Sequence, residues 1–210
     1  QIDRAARAYL EHGAASLDVP DADPGQTDDG TVRRYARTDG MLPIVREVPE
    51  GPEVGALLAR YIRAASRQWH MGCGACGVLV PMPATGKRIA EMLHGHGIAA
   101  EYVESKSLDL STPTVKVLTL KSAKGLEFPF VAVAGFQHGF YPNIFAPGLD
   151  AGELEIGALT EALACERRSI YVGMTRAMLA LMMVVPPNPK PPVDALYHGF
   201  SATYWNTGDN

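Results

Sequence analysis

The apolar positions of this chain change their spacing from one segment to the next, and that spacing predicts alternating helices and strands. Over residues 2–12 and again over 52–69, apolar residues recur every three or four positions, as on the buried face of an amphipathic helix. Near-continuous apolar runs at 77–80, 115–120 and 130–134 predict short strands, because the strands of a parallel sheet are covered on both faces.

Further segments complete the alternation. Apolar patterning also predicts strands at 42–48, 101–104 and 179–185, a helix through 89–93 that ends at Gly95 or Gly97, and a helix over 159–176. Strands that alternate with helices are typical of an α/β domain with a mainly parallel sheet, which binds ligands at the carboxyl ends of its strands.

Two segments lack this patterning. Residues 13–40 are rich in Asp, Gly and Pro and are predicted to form an exposed loop. Five prolines lie between Pro186 and Pro192, so 186–210 is predicted to be a linker or a frayed terminus. We therefore expect one domain over 1–185 and a proline-rich tail. Because the chain begins at Gln1 rather than Met, we expect it to be a piece of a longer protein.

Composition limits the possible functions. Hydrophobic residues make up 47% and charged residues 20%, which are ordinary globular values, and the net charge of -4 lacks the basic excess of a stand-alone nucleic-acid binder. Any contact with DNA should therefore be local or shared with another domain. The longest apolar run, 177–185, is too short to span a bilayer.

The cysteines favour a reducing, cytoplasmic compartment over a disulfide scaffold. There are three, and Cys73 and Cys76 form a CxxC pair three residues after His70. A structural zinc site needs four ligands, and the other clustered candidates are His94 and His96. We interpret the pair as part of a glycine-rich turn that enters a strand, and we predict no metal site in this chain.

Two segments place charged and small residues beside apolar elements. The first, TLKSAKGLEF at 119–128, follows a predicted buried strand; its small residues allow backbone N–H groups to approach an anion, and its Glu127 can accept hydrogen bonds from a ribose. The second, ERRSIYVGMTRA at 166–177, ends a predicted helix with Arg176, whose planar guanidinium suits phosphate oxygens. We expect 121–127 and Arg176 to converge at one sheet edge.

Together and in this order, the two segments resemble the last two signature motifs of the UvrD/Rep family of superfamily 1 DNA helicases. The resemblance is clear over 76–185 and loose over 1–75. It implies an ATP-dependent DNA helicase or translocase, of which this chain is the second RecA-like motor domain. ATP would bind in the cleft between this domain and an absent N-terminal RecA-like domain that carries the P-loop. That absent domain would hold Mg²⁺.

The resemblance also implies roles for single residues. Arg176 would sense the γ-phosphate and act in catalysis, while Glu127 and Gly125 would lie at the nucleotide. Single-stranded DNA would be contacted by Thr119, Lys121 and Ser122.

Several features depart from the family pattern. Lys121 stands where His is usual, Pro81 stands where many relatives have a phosphate-contacting Arg, and only about fifteen residues near 101–115 replace a large inserted subdomain. The chain has no P-loop of its own, because Gly86-Lys87 lacks the first Gly and is followed by Arg88 rather than Ser or Thr. Lys87 or Arg88 are candidates to compensate for Pro81. A second hypothesis is therefore a catalytically inactive helicase-like module that binds DNA or protein.

Overall fold

A parallel β-sheet forms the centre of the domain. The computed structural model describes residues 1–15, 41–104, 109, 111–136, 156–194 and 206. Its elements in chain order are α1 (Ile2–Ala15), β1 (Ile44–Glu47), α2 (Pro52–Gln68), β2 (Cys76–Val80), α3 (Pro83–Gly95), β3 (Ala100–Tyr102), β4 (Val115–Thr119), β5 (Phe128–Val133), α4 (Ile156–Met174) and β6 (Ala177–Val185). None of the helices in these ranges is long and apolar enough to cross a membrane.

The strand order in space is β1-β6-β5-β2-β4-β3, and every pair is parallel. Helices α1 and α4 pack on one face, whose core includes Leu79, Val131 and Met183. Helices α2 and α3 pack on the other, whose core includes Val78 and Ala132. Side chains alternate between the two faces along each strand, so both faces are buried. The prediction of an α/β domain with a mainly parallel sheet is confirmed.

The ends of the elements differ modestly from the predictions. Helix α1 continues through Gly13 to Ala15, because one glycine inside a helix costs only about 1 kcal/mol. Strand β1 is shorter than predicted, and β5 begins two residues earlier, at Phe128. Residues 16–40 of the predicted loop lie outside the described residues.

The start of the proline-rich tail packs on the domain. Val193 is 1% exposed and belongs to the core of the α1/α4 face. The Tyr9 hydroxyl donates to the carbonyl of Pro192 at 3.2 Å, and Asn206 forms a parallel bridge with Ile44 of β1. The prediction of a linker or frayed terminus is therefore wrong for Pro192, Val193 and Asn206, because burial and backbone contacts anchor these residues in a segment whose composition resembles a linker.

Candidate functional site

The carboxyl edge of the sheet holds the residues predicted to contact DNA. Thr119 ends β4 in register with Val80, the last residue of β2, and the amide of Leu120 donates to the carbonyl of Val80 at 2.8 Å. Thr119 is only 9% exposed, and its hydroxyl donates to the Ser122 hydroxyl at 2.8 Å and accepts from the Ser122 amide at 3.1 Å. These bonds close a tight turn that leaves Lys121 exposed to solvent.

The connection from β4 to β5 crosses the sheet. Both strands flank β2 and run parallel to it, so the eight residues 120–127 must run from the carboxyl edge to the amino edge within one connection. Leu120 and Ala123 are buried, and a Cβ on Gly173 of α4 would lie 2.4 Å from Leu120 Cδ2. Gly125 has φ +84°, a left-handed conformation that favours glycine. The loop is therefore held tightly beneath α4.

Arg176 lies at the amino edge, beside the end of this connection. Its carbonyl accepts from the Phe128 amide at 2.9 Å, and its Nη1 donates to the Leu126 carbonyl at 3.3 Å. Its Nε donates to Val172 O at 3.0 Å and its Nη2 to Thr175 Oγ1 at 3.2 Å. These contacts use three of the five guanidinium N–H donors. The half-buried arginine is thus held next to the exposed Glu127.

The structure separates residues that were expected together. Arg176 contacts Leu126 and Phe128, the residues on either side of Glu127, and these contacts lie at the amino ends of β5 and β6. Lys121 lies at the opposite edge, so the expectation that all of 121–127 and Arg176 converge at one edge is wrong. The reason is that β4 and β5 run parallel, so the connection between them must return from the carboxyl edge of the sheet to the amino edge.

Most of the backbone N–H groups that were expected to bind an anion already donate hydrogen bonds within the protein. The amides of Ser122, Ala123, Lys124 and Leu126 donate to acceptors at 119, 121 and 123, within the same turn. Side chains, rather than this row of N–H groups, are therefore the main groups that the segment offers to a ligand.

A buried lysine was missed by the sequence reasoning. Lys116 in β4 is fully buried, and its ammonium donates to Glu101 Oε1 at 2.7 Å and to Thr114 Oγ1 at 2.6 Å. It also contacts the hydroxyl and the carbonyl of Thr112. The hydrogen bonds from Lys116 and Thr114 lower the pKa of the Glu101 carboxyl. The sequence did contain a signal for this buried ammonium, namely a charged residue inside an apolar run.

Among the described side chains, neither cysteine of the CxxC pair has enough His, Cys, Asp or Glu neighbours to form a metal site. Cys76 is fully buried, which raises the pKa of its thiol well above the ordinary value, and its Sγ contacts the carbonyl of Gly77 at 3.7 Å. Among the described residues, no group of three or more His, Cys, Asp and Glu side chains could hold a metal ion.

Known proteins resemble the segment of this chain that holds Thr119, Glu127 and Arg176. Residues 83–186, from α3 to the end of β6, match the UvrD-like helicase C-terminal domain family. The chain carries a UvrD-like helicase C-terminal domain. A DNA helicase II from Escherichia coli K12 is 46% identical over 69 residues, which are 33% of this chain and 8% of that protein. The ATP-dependent DNA helicase UvrD1 of Mycobacterium bovis is 37% identical over 89 residues, which are 39% of this chain and 10% of that protein.

The fold of this helicase domain extends beyond the matched segment. The crystal structure of the C-terminal domain of a possible DNA helicase from Lactobacillus plantarum WCFS1 superimposes with a TM-score of 0.62 at 16% identity, covering 97% of this chain and 95% of that one. The likeness therefore includes β1, α2 and β2, which precede the matched segment. The curated relatives are much longer, and the alignments span about a tenth of their length or less.

Proposed function

We propose that this chain is the C-terminal motor domain of an ATP-dependent DNA helicase or translocase. It would complete an ATP site at its amino edge and contact single-stranded DNA at its carboxyl edge, together with an N-terminal RecA-like domain of the same protein. The proposal depends on one observation: Arg176 contacts the segment that ends in Glu127, at the edge of the sheet opposite Lys121. Nucleotide and DNA would thus occupy opposite edges of one rigid sheet.

The amino edge fits a nucleotide through side chains. Arg176 keeps two N–H donors beyond its three contacts, and an arginine fork suits the charge that develops on a transferring phosphoryl group. The exposed Glu127 carboxylate can accept hydrogen bonds from ribose hydroxyls. ATP supplies the phosphoryl group that is hydrolysed. Mg²⁺ would be held by the N-terminal domain.

The carboxyl edge fits a DNA backbone through Lys121. Its ammonium can neutralise one phosphate as a point charge, which a histidine at this position would do only when protonated. Thr119 and Ser122 fix the turn that presents it. Changes at this edge should therefore affect DNA binding without removing the nucleotide contacts.

The test is Arg176→Ala in the full-length protein, with Arg168→Ala as its control. Arg168 is an exposed arginine on the same helix that pairs with Glu161 at 3.1 Å. An arginine that contacts the transferring phosphoryl group acts mainly on the transition state. Arg176→Ala should therefore lower kcat by a factor on the order of 10³–10⁵ with little change in nucleotide affinity. Arg168→Ala should leave both nearly unchanged.

DNA binding supplies the second readout. Lys121→Ala should weaken single-stranded DNA binding and lower the slope of log K against log salt by about 0.7, the loss expected for one phosphate contact. If Arg176→Ala left DNA-stimulated turnover within about threefold of wild type, less than ~1 kcal/mol of barrier, the motor assignment would fail. The inactive binding module would then be the better description.

A further inference from the structure

The turn that enters β2 holds two cysteines close together at the amino edge of the sheet. Cys73–Ala75 form a single 3₁₀ turn, in which the Ala75 amide donates to the carbonyl of Gly72 at 3.0 Å. The amide of Cys76, the first residue of β2, donates to the carbonyl of Cys73. A turn closed by such a bond keeps its end Cα atoms within about 7 Å, and disulfides join Cα atoms about 4.4–6.8 Å apart. The backbone of the pair is therefore compatible with a disulfide.

The two side chains also lie on the same face of the sheet. Cys76 is fully buried in the core of the α2/α3 face, together with Val78 and Val80, the alternate residues of β2. Cys73 is partly buried and packs against the same core. Burial raises the pKa of the Cys76 thiol well above its ordinary value, and the neighbouring Cys73 raises it further. The two thiols are therefore close enough to act on each other.

Tight packing on both sides fixes this turn. A Cβ on Gly74, between the two cysteines, would lie 2.7 Å from the carbonyl carbon of Pro113. A Cβ on Gly77, directly after the second cysteine, would lie 2.7 Å from Cδ2 of Phe128. The two glycines thus let the turn lie directly against its neighbours. The cysteines at its ends therefore have little room to move apart.

The two thiols differ in their access to solvent. Cys73 is half-buried, whereas Cys76 is fully buried. A reagent in solution therefore reaches Cys73 first, and the buried Cys76 can react only with a sulfur that its neighbour presents. The third cysteine of the chain, Cys165, is exposed on α4, which packs on the opposite face of the sheet. The pair thus combines an accessible thiol with a protected one.

We propose that Cys73 and Cys76 form a thiol-modification site that reacts with low-molecular-weight disulfides and closes to an intramolecular disulfide. In the first step the Cys73 thiolate attacks one sulfur of a disulfide such as oxidised glutathione, forms a mixed disulfide and expels one glutathione thiolate. In the second, Cys76 loses its proton to solvent and attacks Cys73 Sγ, which expels the second glutathione thiolate. Two protein thiols are oxidised, and one oxidised glutathione is reduced to two glutathione thiols.

The test treats the 210-residue chain carrying Cys165→Ser with oxidised glutathione at mildly alkaline pH in the absence of oxygen. The reaction is stopped with acid, and the mass of the intact chain is measured before and after alkylation with N-ethylmaleimide. We expect the mass to fall by two hydrogen atoms and both alkylatable thiols to be lost. Reduction with dithiothreitol should restore both.

Single substitutions in the same background separate the two steps. Cys76→Ala should stop at the mixed disulfide, so the chain should gain one glutathionyl group and keep it. Cys73→Ser should remain unmodified, because glutathione does not reach the buried Cys76. Circular dichroism checks that each variant is folded. If a substitution at the buried Cys76 is unstable, the result with both cysteines present decides the proposal.

Three results would overturn the proposal. A lasting glutathionyl group on the chain with both cysteines would mean that Cys76 does not reach Cys73 Sγ. An unmodified pair, under conditions in which Cys165 of the wild-type chain is modified, would mean that Cys73 is not accessible. A disulfide that forms only in urea would mean that the folded turn keeps the two sulfurs apart. None of these measurements involves nucleotide or DNA, so their outcome does not bear on the proposed function.

Discussion

The buried Lys116 predicts an unusual asymmetry between two mutations of one ion pair. Lys116 has 1% of its side chain exposed, whereas 46% of the Glu101 side chain is exposed. Removing the exposed partner leaves a buried ammonium without its counter-charge. Removing the buried partner leaves a carboxylate that can turn into water. We therefore expect Glu101→Ala to destabilise the domain more than Lys116→Met does.

The magnitudes follow from the contacts that each variant keeps. Removing one partner of a buried pair typically costs about 3–5 kcal/mol. In Glu101→Ala the ammonium keeps the oxygens of Thr112 and Thr114, so we expect a loss of about 2–3 kcal/mol. In Lys116→Met the apolar stem is preserved, and the half-exposed threonines and Glu101 can be hydrated, so the loss should stay below about 1 kcal/mol.

The assay is urea unfolding of the 210-residue chain, followed by circular dichroism. The free energy of unfolding of each variant is compared with that of wild type, and Glu91→Ala, an exposed substitution on α3, should stay within about 0.5 kcal/mol of it. A loss in Lys116→Met equal to or larger than that in Glu101→Ala would refute the reasoning, because it would mean that the ammonium stabilises more than it costs to bury.

Acid titration gives an independent check on the same pair. The hydrogen bonds from Lys116 hold the pKa of Glu101 below its ordinary value. A carboxyl with a lower pKa in the folded state contributes stability above its unfolded pKa of about 4.3 and loses it as the pH falls through the folded value. The difference in free energy between wild type and Glu101→Ala should therefore be full at neutral pH and shrink below about pH 4.

Two further substitutions test local features. Gly125→Ala forces a Cβ into the left-handed region and should cost about 1–2 kcal/mol by urea unfolding, whereas Gly95→Ala, at the end of α3 with open space around it, should be neutral or slightly stabilising; equal effects would contradict the backbone argument. Val193→Ala should cost about 1.5–3 kcal/mol because two buried methyl groups are lost, while the exposed Pro187→Ala should change little; an unaffected Val193→Ala would mean that the tail does not contribute to the core.

Much of the fold could be predicted from local patterning. The apolar runs in β2, β4 and β5 specify strands covered on both faces, and the spacing in α2 specifies a helix with one buried stripe, because both patterns depend only on neighbouring residues. The two motifs also determined the family before any contact was known. The burial of Lys116 could not be predicted from its apolar run, because it depends on Glu101 in a different strand.

The sequence by itself thus determined the order of the elements, the class of the sheet and the residues that carry charge beside it. Only the tertiary structure decided which of those residues share an edge. Lys121 and Glu127 are six positions apart in one motif, yet the crossing of β2 sends them to opposite ends of the strands. Arg176, distant in sequence, meets the Leu126 carbonyl. The physical reason is that strand pairing is set by the burial of both sheet faces at once, a property of the whole chain rather than of any segment.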